Sequence, residues 1–233
     1  MAFLHSDPAR QPAFSAPPAV LGLIGALVAA HGGRMLLSEA RSLDIINAYA
    51  FIPARYSRAF LADHNIDPGS WLDRAVPFLG YIALHNDWTH LAINCLWLLA
   101  FGPVVARRFG AGPFLLFFLV CGAAAALLFL ACNWGDAAPM IGASGAISGV
   151  MAAAIRMMPA PSSWTTPGAL APLFSRQVLL FTLVWALLNV VLGLTGLGLM
   201  GGEQGLVAWQ AHLGGYAAGL LLAGPFDALR PRG

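Results

Sequence analysis

Six apolar runs divide this chain, over residues 19–37, 88–106, 114–134, 142–158, 177–199 and 206–226. Each is close to the length, about 20 residues, that a helix needs to cross a bilayer. Lipid offers no water to bond free backbone N–H and C=O groups, so such runs fold as helices that satisfy their own hydrogen bonds. Composition agrees: 59% of the 233 residues are hydrophobic and 9% charged, with mean hydropathy +0.74, against roughly a quarter charged in a soluble domain. That balance excludes a disordered chain, a soluble enzyme and a nucleic-acid binder. The expected fold is all-α, a polytopic membrane protein with a six-transmembrane-helix bundle. Its parts are a tail over 1–18, a membrane domain over 19–226 with a long outer loop at about 38–87, and a tail over 227–233.

The fourth run is short and rich in Gly and Ala, which suits a helix packed inside the bundle. The first carries His31 and Arg34 near its end. Only Asp7 and Arg10 charge the residues before it, a poor n-region for a cleaved signal, so it is expected to remain as a span. With six spans, Arg10, Arg107, Arg108, Arg156, Arg176, Arg230 and Arg232 share one side, while the short loops opposite hold Asp136 and Glu203. The positive-inside rule then puts both termini in the cytoplasm. Part of the first loop, around 45–52, is expected on the outer leaflet. Trp88, Trp134 and Trp209 stand at span ends, as an aromatic belt requires. Cys95, Cys121 and Cys132 lie in apolar runs without CxxC spacing, and read as core or lipid-facing residues.

Polar groups inside a bilayer are costly and ask for a reason. His90 and Asn94 in the second span, Ser144 in the fourth and His212 in the sixth all lie near the N-terminal ends of even-numbered spans. Those ends share one membrane face, and at ~1.5 Å per residue the four residues lie within one or two turns of it. His90 and Asn94, four apart, stack on one helix face. Singly, each has an ordinary explanation: polar residues bonding to neighbouring helices, small-residue packing around a serine, a satisfied core histidine.

Together they suggest chemistry. Gly142-Ala143-Ser144-Gly145, with Pro139 upstream, places Ser144 on the first turn of a helix, where unpaired N–H groups favour an oxyanion. Gly142, Gly145 and Gly149 share a face, as do His212, Gly215 and Gly219, so two helices can approach closely. If these two helices are partners, His212 can take the Ser144 hydroxyl proton, as nucleophilic catalysis requires. Metal chemistry fits poorly. There is no HExxH, and His85 and His90 stand about 140° apart around a helix. No intramembrane Asp pair exists, and Asp44, Asp63, Asp67, Asp73 and Asp87 read as solvated loop residues. His5, His31 and His64 read as tail, interface and loop residues.

The run from His85 to Asn94, the Gly142-Ala143-Ser144-Gly145 motif and the His212, Gly215, Gly219 pattern together resemble the rhomboid intramembrane serine proteases, from about residue 76 to 224. The resemblance implies a six-helix bundle with a Ser–His dyad in a water-filled cavity open to the outer face. Ser144 would be the nucleophile and His212 the general base. His90 and Asn94 would be the side-chain donors of the oxyanion hole, beside the Ser144 N–H. Gly142, Gly145, Gly215 and Gly219 would support the packing, and His85 would give support rather than chemistry. Two features depart from the pattern. Ser148 occupies the position where some members stack an aromatic beneath the histidine, and the first loop lacks the Trp-Arg pair of some members. With no Asp in the dyad, His212 is expected to be oriented by packing.

The function implied is endopeptidase cleavage near the outer end of transmembrane helices, in single-span or polytopic membrane-protein substrates. The expected setting is a lipid bilayer, as in a bacterial inner membrane, with no cofactor, no metal and no nucleic-acid partner. A non-catalytic rhomboid-like binder, a small transporter or channel, and action on a lipid ester are the rival readings. Segments beside the first loop, or the fifth span with Gly193, Gly196 and Gly198, are candidate gates.

Overall fold

The computed structural model describes residues 16–158, 169–195 and 208–229. Most of both tails, Glu203, Gly196, Gly198, His5, Arg10, Arg230 and Arg232 lie outside the described residues. The six apolar runs each coincide with a helix: α1 (Pro18–Met35), α6 (Trp88–Phe109), α7 (Ala111–Cys132), α8 (Ser144–Met157), α9 (Arg176–Thr195) and α10 (Trp209–Ala228). Four short helices fold the first loop: α2 (Glu39–Tyr49), α3 (Arg58–Asp63), α4 (Trp71–Ala75) and α5 (Pro77–Gly80). Among the described residues there is no β-strand, only one isolated bridge between Phe51 and Met140. Helices α1, α6, α7 and α9 are long and apolar enough to cross a membrane; α8 is apolar but shorter.

Helix α8 is the axis of the bundle. Every residue from Gly145 to Ile155 is buried, enclosed chiefly by α6, α7 and α10. Lipid tails are as apolar as leucine, so helices here gain little from hydrophobic burial and are held by close packing and interhelical hydrogen bonds. Small residues supply the packing. A β-carbon on Gly219 would fall on the Gly149 carbonyl oxygen, and one on Gly149 against the Cys121 sulfur. Helix α9 is peripheral. Only Val178 and Gly193 are buried in it, while Leu183, Val184, Leu187 and Leu188 are exposed.

The N-terminal ends of α6, α8 and α10 gather at one face. At the other end Arg108 of α6 makes a two-pronged salt bridge to Asp227 of α10, at 2.6 and 2.7 Å, and Arg156 of α8 donates to the Leu220 carbonyl at 2.6 Å. The arginines that mark one side in the sequence therefore also tie helix ends together.

The first loop is anchored under an aromatic cluster. Phe51 meets Phe78 at 4.8 Å and Tyr56 at 5.3 Å between ring centroids. From this anchor it grips the segment before α8: Phe51 and Met140 exchange backbone hydrogen bonds, Ala54 N–H donates to Asp136 O, and Gly142 N–H donates to Tyr81 O. Helix α2 has no buried residue, whereas Ala50 and Phe51, within the stretch expected on the outer leaflet, are fully buried in the protein. The five loop aspartates are exposed as expected, although Asp87 also caps α6 by accepting from His90 N–H at 2.8 Å.

One expectation needs correction. His31 is not an interface residue: it is 1% exposed, edge-on to Trp88 at 4.7 Å, because Arg34 draws the end of α1 onto the start of α6 by donating to the His85 carbonyl at 2.6 Å. Trp209 stands at the start of α10, a span end as expected, and its indole also packs on Gly193 of α9, where any side chain would collide with it.

Candidate active site

Gly142 sets the site. Its φ of +116° is left-handed backbone that favours glycine, and it turns the chain so that α8 begins at Ser144. The first-turn amides of a helix have no carbonyl within the helix to bond, so α8 presents donors beside the Ser144 hydroxyl. Across from it, α10 approaches so closely that a β-carbon on Gly215 would fall on the Gly145 carbonyl oxygen. A side chain on Gly145 would in turn meet the Ala125 methyl at 2.6 Å. This contact lies one turn from His212, and the imidazole Nε2 stands 2.7 Å from Ser144 Oγ.

The other imidazole nitrogen has a partner that the sequence reading did not name. His212 Nδ1 is 2.7 Å from Oδ1 of Asn189, on α9. The Asn189 amide nitrogen donates to the Trp185 carbonyl at 2.8 Å, which leaves its oxygen facing the ring. An amide oxygen only accepts, so Nδ1 carries the proton and Nε2 accepts from the Ser144 hydroxyl. His212 is thus oriented by a hydrogen bond, not by packing alone. Ser148, at the position where some members stack an aromatic, donates to the Ser144 carbonyl at 2.8 Å. The available signal for Asn189 was its type: a carboxamide amid leucines and valines is costly unless it is paired.

His90 and Asn94 converge on the same place. A side chain at Gly142 would lie 2.8 Å from His90 Nε2 and 3.7 Å from Asn94 Nδ2. Asn94 is 1% exposed and its amide nitrogen has no protein acceptor. A cavity of about 260 Å³ is lined by His90, Gly142, Ser144 and His212, together with Ile46 of α2 and Asn86; Asn94 is not among its lining residues. His85 stands behind, fully buried and edge-on to His90 at 5.1 Å. Burial pushes its imidazole down to about 3, so it is neutral. Among the described residues no three His, Cys, Asp or Glu side chains are grouped to hold a metal ion.

The family model for the rhomboid domain matches residues 73–226, well over half of the chain. The chain belongs to the rhomboid family. The matched stretch runs from α4 through the last turns of α10, so it holds every residue of the site just described, Asn189 included. Helices α1 to α3 precede the rhomboid match. No curated protein matches the sequence.

Proposed function

We propose that this rhomboid is an active intramembrane serine endopeptidase, with Ser144 as nucleophile and His212 as general base. The observation that carries this reading is the 2.7 Å contact between Ser144 Oγ and His212 Nε2. Ser144 Oγ bonds to the substrate carbonyl carbon as its proton passes to Nε2. When the C–N bond breaks, His212 returns that proton to the leaving amine. Water repeats the cycle on the acyl-enzyme and frees Ser144. His90, Asn94 and the first amides of α8 supply hydrogen bonds to the oxyanion.

The reading includes a six-span membrane domain over 19–226 with both termini cytoplasmic, set in a cell membrane of bacterial type. The gathering of the N-terminal ends of α6, α8 and α10 at the site, with Arg107 and Arg108 in the last turn of α6 and Arg156 in that of α8, supports it. The substrates are membrane proteins whose helices expose a peptide bond near the outer face. The test is cleavage of a single-span substrate by protein reconstituted in liposomes. Ser144→Ala and His212→Ala are each expected to abolish cleavage while remaining folded. Cleavage that survives Ser144→Ala would refute the mechanism. A wild-type protein that neither cuts nor labels with a fluorophosphonate would favour a membrane-protein binder.

A further inference from the structure

Besides Gln177, which donates to the Ile155 carbonyl of α8, and Val178, buried in a cluster with Ile155, four residues of α9 form one stripe at helical spacing: Thr182, Trp185, Asn189 and Gly193. Each has a partner on α10. Thr182 Oγ1 and Tyr216 OH are 2.9 Å apart, Trp185 stacks on the Tyr216 ring at 4.2 Å between centroids, Asn189 holds His212, and Gly193 receives the Trp209 indole. The rest of α9 shows leucine and valine outward. The most loosely packed of the long helices is therefore joined to the bundle along a line that passes through the imidazole.

We infer that Asn189 is a positioning residue, and that through it the dyad is set for proton transfer only while α9 is docked on α10. The inference rests on the protease reading for its kinetic consequence. Its structural half does not. A neutral imidazole has two tautomers, and only the Nδ1–H form leaves Nε2 free to accept from Ser144. The Asn189 oxygen selects that form, and its amide nitrogen, bonded to Trp185 O, keeps the carboxamide from turning to offer a donor instead. If α9 swings away, both tautomers and other ring rotations open to His212 while Ser144 stays where α8 begins.

The experiment uses the full chain in detergent micelles, labelled with ¹⁵N-histidine, with His212→Gln to assign the resonances. Wild type is expected to show His212 as the Nδ1–H tautomer, and Asn189→Leu to show a mixture. In cleavage assays Asn189→Leu is expected to lower kcat by ~10–100-fold, the scale of a misaligned reacting group, with KM changed by less than about twofold. Asn189→Asp supplies an acceptor again. It is expected to recover most of kcat. An unchanged His212 tautomer in Asn189→Leu, or cleavage at the wild-type kcat, would overturn the inference. A wild type that neither cleaves nor labels with fluorophosphonate would count against the protease reading alone, because the tautomer still reports on Asn189.

Discussion

Gly215 of α10 lies so close to Gly145 of α8 that residue 215 has no room for a β-carbon against the Gly145 carbonyl. The contact sets the helix separation across which His212 reaches Ser144. Gly215→Val is expected to abolish cleavage and to cost about 1–3 kcal/mol of stability through overpacking, read from kcat and from unfolding in mixed micelles. Gly224→Ala, on the same helix but facing open space, is the matched control and is expected to change neither.

Asn94→Ala removes a buried donor that has no protein acceptor. The expected effect is a fall in kcat of ~10²–10³ with little change in KM, the pattern of an interaction made only in the transition state. His90→Ala is expected to act in the same direction. A rise in KM at constant kcat would show that these residues bind substrate rather than the oxyanion.

At Gly142 an alanine meets two obstacles. Its backbone conformation is strained for any other residue, and its methyl would lie 2.8 Å from His90 Nε2. Gly142→Ala is expected to lose about 1 kcal/mol or more of stability and to lower kcat further than that loss explains, because the methyl fills the space between the proposed oxyanion donors. Thermal unfolding and cleavage measured on one preparation separate the two effects.

His85 makes stability fall in acid. The folded ring is held neutral down to about pH 3, whereas in the unfolded chain it titrates near ~6.5. Between those values only the unfolded chain takes up the proton. The stability linked to His85 is therefore intact above ~6.5 and is lost as pH falls toward 3, at up to about 1.4 kcal/mol per pH unit. The measurement is Tm from pH 7.5 to 4.5 for wild type and His85→Gln, with the wild type expected to fall more steeply. Parallel curves would show that His85 carries no such linkage.

The helices were legible because each apolar run carries its own reason to be helical, and the glycine spacing around 145 and 215 announced a close approach. Two things were not. The first loop is held by contacts such as Phe51 on Phe78 and the Phe51–Met140 bridge, which join residues far apart in sequence and leave no period. Asn189 was hidden for a different reason. Its meaning depends on which face of α9 meets α10, and a span hydrophobic nearly all round gives no sign of that register until Tyr216, His212 and Trp209 are seen opposite it.

The shortness of α8 makes it a ruler. At ~1.5 Å per residue its 14 residues extend about 21 Å, less than the ~30 Å of bilayer hydrocarbon. Arg156 ties its far end to α10 and to the Ala171 carbonyl; with that end at one boundary of the hydrocarbon, the proposed arrangement sets Ser144 about 9 Å inside the other. A thicker bilayer leaves the serine deeper relative to a substrate helix whose outer end stays at the interface. The same protein moved into longer-chain lipids is therefore expected to cut about one residue further into the substrate span for every ~1.5 Å of added thickness on that side, a shift that mass spectrometry of the products would read directly.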